Sequence, residues 1–193
     1  MSIPIVQILI TGLFRWLGRD HCLARCTTTL IQSAGVNMVV DPGNARTARN
    51  VLAALKRRKL APRDIHYVID THYHPDHLGA NFLFPQACVV DGESLNQGDE
   101  FIFYNTKKPL VLAPGVSVVP TPGHTASCCS VLVETARGTV AVVGDLFWRD
   151  QAGKLGWAEY PLKLKLSQRK ILKQANYVVP GHARMFRVKH SVH

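Results

Sequence analysis

The segment "THYHPDHLGA", residues 71–80, places His72, His74, Asp76 and His77 within six positions, directly after the apolar run "HYVID". Such a density of metal-grade donors at the end of a strand constrains the fold more than any other stretch. Neutral imidazole nitrogens and carboxylate oxygens are what zinc and similar ions bind. The alternation of His72 and His74 lets both face one side of an extended turn, leaving Asp76 and His77 for a second ion. Three more candidates stand at later strand ends: His124 in "TPGH", Asp145 in "VVGD" and His182 in "VPGH". Each lies beside a glycine, read here as the residue that lets the backbone turn sharply.

The surrounding chain reads as mixed α/β. "IVQILITG", "TTTLIQS" and "VNMVVDPG" have the β-branched content of strands, and Ala34 with Gly35 forms a candidate hairpin turn between the last two. From Asn44, read as an N-cap, "ARTARNVLAALKRRKL" carries Val51, Leu52 and Leu55 at helical spacing. "ACVVDG", "VSVVPTPGH", "SVLVETARGTVAVVGD" and "YVVPGH" read as further strands, and "YPLKLKLSQRKILKQAN" as a helix. With 193 residues and no linker or repeat, a single domain over residues 1–193 is expected.

"THYHPDHLGAN", "TPGHT", "VVGDLF" and "VPGH" resemble the successive motifs of the metallo-β-lactamase superfamily. The resemblance covers nearly the whole chain and implies a four-layer αββα sandwich, two mixed sheets flanked by helices. It assigns His72, His74 and His124 to one metal ion and Asp76, His77 and His182 to another, with Asp145 bridging. Two zinc ions per chain are implied, with iron or manganese as alternatives. Asp76 also takes a catalytic role, orienting the nucleophilic water. Asp41 in "VVDPG" matches an early aspartate that supports such sites without ligating.

"GDLFWRD" and "FRV" resemble a glyoxalase II-like subgroup whose members are described as endonucleases for the 3′ ends of histone pre-mRNA. An endoribonuclease cleaving RNA phosphodiesters is therefore the expected activity. A thiolester hydrolase, a mononuclear iron dioxygenase and an inactive scaffold are the competing readings. The formal net charge of +10 agrees with RNA or a small anionic substrate as partner. Lys163, Lys165, Arg169, Lys170 and Lys173, with Arg149 and Arg187, are candidate phosphate contacts, set against the plainer reading of a solvated helix face.

Most other features are assigned structural or no roles. Cys128 and Cys129 are expected to fill an apolar strand. Trp148, Trp157, Tyr104 and Phe186 are candidates to line a substrate groove or stack on bases, set against the plainer expectation that they pack in core or loops. His21, His66, His190 and His193 receive no role. "IPIVQILITGLF" falls short of the roughly 20 residues of a membrane span. The five cysteines lack a CxxC pair, and no secretory leader is evident. A reducing compartment, cytosol or nucleus, is expected, and a homodimer could supply contacts that abbreviated first strands lack.

Overall fold

The computed structural model describes residues 3–149 and 157–189. Two sheets form the frame. The first contains β1 (Ile5–Ile10), β4 (Thr28–Ser33), β5 (Val36–Val40), β6 (Tyr67–Ile69), β7 (Cys88–Val90), β8 (Ser94–Gln97) and β9 (Glu100–Phe103), in that spatial order. The second runs β10 (Leu110–Ala113), β11 (Val116–Pro120), β12 (Cys129–Thr135), β13 (Gly138–Val142), β14 (Tyr177–Val179), β15 (Phe186–Arg187). A separate ribbon pairs β2 (Leu13–Trp16) with β3 (Cys22–Arg25). Three α-helices accompany the strands: α1 (Ala48–Lys56), the short α2 (Pro75–Leu78) and α3 (Pro161–Gln174).

The layering follows from the two-residue period of the strands. Ile31, Met38, Val40 and Ile69 of the first sheet meet Val116, Val118, Val131, Val133, Val140, Val142 and Val179 of the second in one buried core. Their immediate neighbours point the other way. Leu30, Val39 and Val68 pack beneath Val51, Ala54 and Leu55 of α1. On the far side, Val119, Ala141, Val143 and Val178 pack beneath Leu164 and Ile171 of α3. Helix, sheet, sheet, helix is the resulting order, as expected for an αββα sandwich.

Ala34 and Gly35 form the turn between β4 and β5 with φ of 49° and 84°, the pair of positive values a type I′ hairpin needs. Asn44, in contrast, does not cap α1. The helix starts at Ala48, and the Asn44 side-chain oxygen accepts from the backbone N–H of Arg46 and Thr47 in the preceding turn. An Asx turn competes with the helix for the same donors, which explains the displaced start.

Site placement is a consequence of strand direction. β5 and β6 run parallel in one sheet, and β13 and β14 run parallel in the other. Their carboxyl ends lead into Asp41, Thr71–His72, Asp145 and His182 respectively, so that these segments emerge together along one edge of the sandwich. No helix among the described residues is long and apolar enough to cross a membrane.

Candidate metal centre

The structure brings all seven expected donors together. His72, His74, His124 and Asp145 form one group with one donor atom from each within 4.8 Å of the others, and Asp76, His77 and His182 form a second. Asp145 joins the two: its Oδ2 lies 3.4 Å from His124 Nε2 and 3.9 Å from His72 Nε2, while its Oδ1 lies 3.4 Å from His77 Nε2 and 3.1 Å from His182 Nε2. Asp76 Oδ2 stands 3.7 Å from both His77 Nε2 and His182 Nε2.

His77, His182 and His124 are each held from outside the cluster. The Asp41 carboxylate accepts from His77 Nδ1 at 2.9 Å and from the backbone and hydroxyl of Thr71 at 2.9 and 2.8 Å. His182 Nδ1 donates to the Arg25 carbonyl at 2.9 Å, and His124 Nδ1 donates to the Trp157 carbonyl at 2.7 Å. A proton on Nδ1 leaves the Nε2 lone pair free, and in all three rings that lone pair faces the centre. His74 differs: it turns Nδ1 inward, 3.0 Å from the Nε2 atoms of both His72 and His124.

This geometry suits cations better than it suits hydrogen bonds. Four donors around an ion at about 2.0–2.1 Å lie about 3.3 Å from one another, close to the separations found. Asp76 Oδ2, His77 Nε2 and Asp145 Oδ1 are buried without a hydrogen-bond partner, and buried groups of that kind cost stability unless something satisfies them. The electrostatics also ask for central positive charge. Burial alone would raise the Asp145 carboxyl, yet the His77 charge and the hydrogen bond from His182 hold it well below the usual carboxylate range. Burial opposes protonation of His77 and His182. For His77 the Asp41 and Asp145 carboxylates prevail, and for His182 the hydrogen bond to Asp145 does, so both are shifted upward. His72, buried and close to the His77 charge, is pushed well below its ordinary value, and His124 is lowered by burial. The donor set therefore fits two divalent cations.

Glycine plays three parts here. Gly144 has φ of 50° and Gly123 has φ of 153°, conformations suited to residues without a Cβ. Gly181 is not in the positive-φ region. Its constraint is space, because a Cβ would come within 2.0 Å of Asp145 Oδ1. The chain does turn at Gly181 as expected, but there the glycine is needed for space and not for a positive φ.

Several contributors carry no donor motif. Asp70, buried after β6, accepts from Asn81 Nδ2 at 2.6 Å, and burial raises its carboxyl to about 7 despite that bond. Backbone carbonyls of Arg25 and Trp157 orient ligand candidates, a role that no side-chain pattern reveals. Trp157 departs from the expected packing role: it is 59% exposed, with its ring 5.7 Å from His124 and 6.2 Å from His74. The half-buried Trp148 lies near both His124 and His182, Phe186 packs edge-on to Phe147, and the Tyr104 hydroxyl donates to the Asp91 carbonyl. Cys128 and Cys129 are buried, as expected of filling residues. Lys163, Lys165, Arg169, Lys170, Lys173, Arg149 and Arg187 are all exposed. His190 and His193 lie outside the described residues.

Comparison with known proteins agrees with the geometry. The chain is 37% identical over 191 residues to metallo-beta-lactamase domain-containing protein 1 of Xenopus laevis, an alignment covering 95% of this chain and 81% of that protein. It is 29% identical over 140 residues to an N-acyl homoserine lactonase of a Bacillus species, covering 64% of this chain and 56% of the lactonase. A crystal structure from Thermotoga maritima, described as a metallo-beta-lactamase, superposes with a TM-score of 0.77 at 18% identity, covering 96% of this chain and all of that one. The family model of the metallo-beta-lactamase superfamily matches residues 24–182. This chain belongs to the metallo-beta-lactamase superfamily.

Proposed function

We propose that the protein is a metal-dependent hydrolase that cleaves RNA phosphodiesters as a di-zinc endoribonuclease. The observation that carries the hydrolase reading is the pair of donor groups sharing Asp145. His72, His74, His124 and Asp145 would hold one ion. Asp76, His77, His182 and Asp145 would hold the other, and nitrogen-rich sets of this kind suit zinc, with iron or manganese as alternatives. Two such ions, when bound, supply Lewis acidity and a water acidic enough to ionise near neutral pH.

The chain's own residues account for orientation and proton handling. Asp41 fixes the His77 ring through Nδ1, and the Arg25 and Trp157 carbonyls do the same for His182 and His124. Asp76, with its side chain 23% exposed and Oδ2 unpartnered, meets both the donor cluster and solvent. It is placed to orient an attacking water and to take its proton. An RNA phosphodiester fits the basic balance of the chain, +10 overall, because phosphate neutralisation dominates nucleic-acid affinity.

The lactonase relative favours a second reading, hydrolysis of a carboxylic ester or lactone. Both are tested by incubating zinc-loaded protein and a His72→Ala, Asp76→Ala double variant with end-labelled single-stranded RNA and, separately, with hexanoyl-homoserine lactone. Chelator-sensitive RNA cutting by the parent and none by the variant is the expected result. Lactone turnover with no RNA cutting by the parent would replace the first reading with the second.

A further inference from the structure

Two exposed tryptophans stand against opposite ends of the donor set. Trp157 is 59% exposed and packs edge-on to His124, with His74 close by. Trp16, at the end of β2, is 61% exposed, and its ring meets Phe14 edge-on at 5.4 Å. Phe14 is buried and lies 5.9 Å from His182 and 4.6 Å from Trp148. One tryptophan thus borders the His72–His74–His124 group directly, and the other borders the Asp76–His77–His182 group through one intervening ring.

Both segments carry cations. Arg15 and Arg19 are exposed on the β2–β3 ribbon, and Arg149 is tied to it by a 2.7 Å hydrogen bond from Nη2 to the Phe14 carbonyl. Past Trp157, Lys163 lies 4.7 Å from the ring of the exposed Tyr160. Asp20 and Glu159 are the exposed acids on the same two segments, outnumbered by these four cations. A large flat apolar ring with adjacent guanidinium or ammonium groups is the chemistry that binds single-stranded nucleic acid, with bases stacking on the ring and phosphates meeting the cations.

We propose that Trp16 and Trp157 are base-stacking residues that hold single-stranded RNA on both sides of the metal centre, so that the phosphate between the stacked bases is the one presented for cleavage. This rests on the endoribonuclease reading above and names what selects the substrate of that site. Stacking does not depend on base identity, so the pair selects for single-stranded character and length, with little sequence preference.

The test compares kcat/KM of zinc-loaded protein on an RNA octanucleotide with that on the same strand carrying abasic residues at all positions flanking the cleaved bond. Parent protein is expected to lose at least about tenfold on the abasic strand, the scale of removing a base–aromatic stack. A Trp16→Ala, Trp157→Ala double variant is expected to be slower on the intact strand and to show no further loss on the abasic one. Trp16→Tyr with Trp157→Tyr should restore the discrimination, which a purely structural role would not do. Equal rates of the parent on both strands, or undiminished discrimination by the alanine variant, would overturn the stacking proposal and leave the ribonuclease reading standing. Failure of the parent to cut either strand would remove the ribonuclease reading itself and this proposal with it.

Discussion

The two walls of the metal centre are built differently. His77 and His182 are closed off from solvent and locked by a carboxylate and by a carbonyl from a strand end, Asp41 and Arg25. On the other wall, His124 leans on the carbonyl of the exposed Trp157, and His74 is only partly buried, with the cluster's own rings as its hydrogen-bonding neighbours. Each wall has one partly exposed donor, Asp76 on the inner and His74 on the outer, so the difference lies in how the rings are anchored, and it predicts that the two sites would hold ions with unequal strength. The same asymmetry places the floor of the site on the sheets and its rim on the loops, where substrate contacts accumulate.

Breaking the asymmetry altogether requires Asp145→Asn, since this residue faces both groups. Both metal sites should weaken together, and kcat/KM should fall by more than the roughly 10- to 100-fold typical of groups that only support a ligand. Metal content by mass spectrometry should drop from two ions toward none. Asp41→Asn sharpens the comparison by removing the direct hold on His77 of the inner wall, while His72 of the outer wall is reached only through Thr71. Affinity should fall about 10- to 100-fold for one ion, so that a competitive chelator strips one equivalent far earlier than the second.

Leu55→Ala acts in the outer helix layer, remote from both walls. Leu55 is fully buried on the inner face of α1, and its truncation should cost about 2–5 kcal/mol of unfolding free energy while metal stoichiometry stays at two; a thermal melt with metal analysis on the same sample checks both. The smallest effect concerns the rim. Lys163 lies in the first turn of α3, beside Tyr160, whereas Lys173 lies in the last. Lys163→Ala should lower the slope of RNA affinity against salt by about one counterion. Lys173→Ala should leave it unchanged, and an equal effect of both would mark α3 as a nonspecific charged face.

What the sequence disclosed follows the same division. All seven donors were legible because their chemistry and spacing are side-chain properties, and Asp41 was legible because it is a carboxylate at a strand end. The strands of the buried core were legible through β-branched runs such as those around Val131 and Val140. Arg25 and Trp157 as orienting groups were not, because a carbonyl looks the same on every residue and only tertiary placement aims it. The exposed strand β9, Glu100–Phe103, lacks an alternating pattern and was missed. So was the β2–β3 ribbon as a unit distinct from either sheet, since ribbon and sheet strands share one local pattern. The start of α1 was misplaced because Asn44 serves a turn and a cap equally well. The steric reason for Gly181 was not legible because the space it leaves belongs to a residue far away in the chain.

The hydrogen bond from His182 to the Arg25 carbonyl joins residues separated by 157 positions, and Thr27 accompanies it with bonds to Gly181 and Ala183. Closing so long a loop is entropically expensive and comes late when a chain folds. Uptake of a second ion would therefore report that the segments around residues 25–27 and 181–183 have paired, since the "HYHPDH" cluster alone lacks His182.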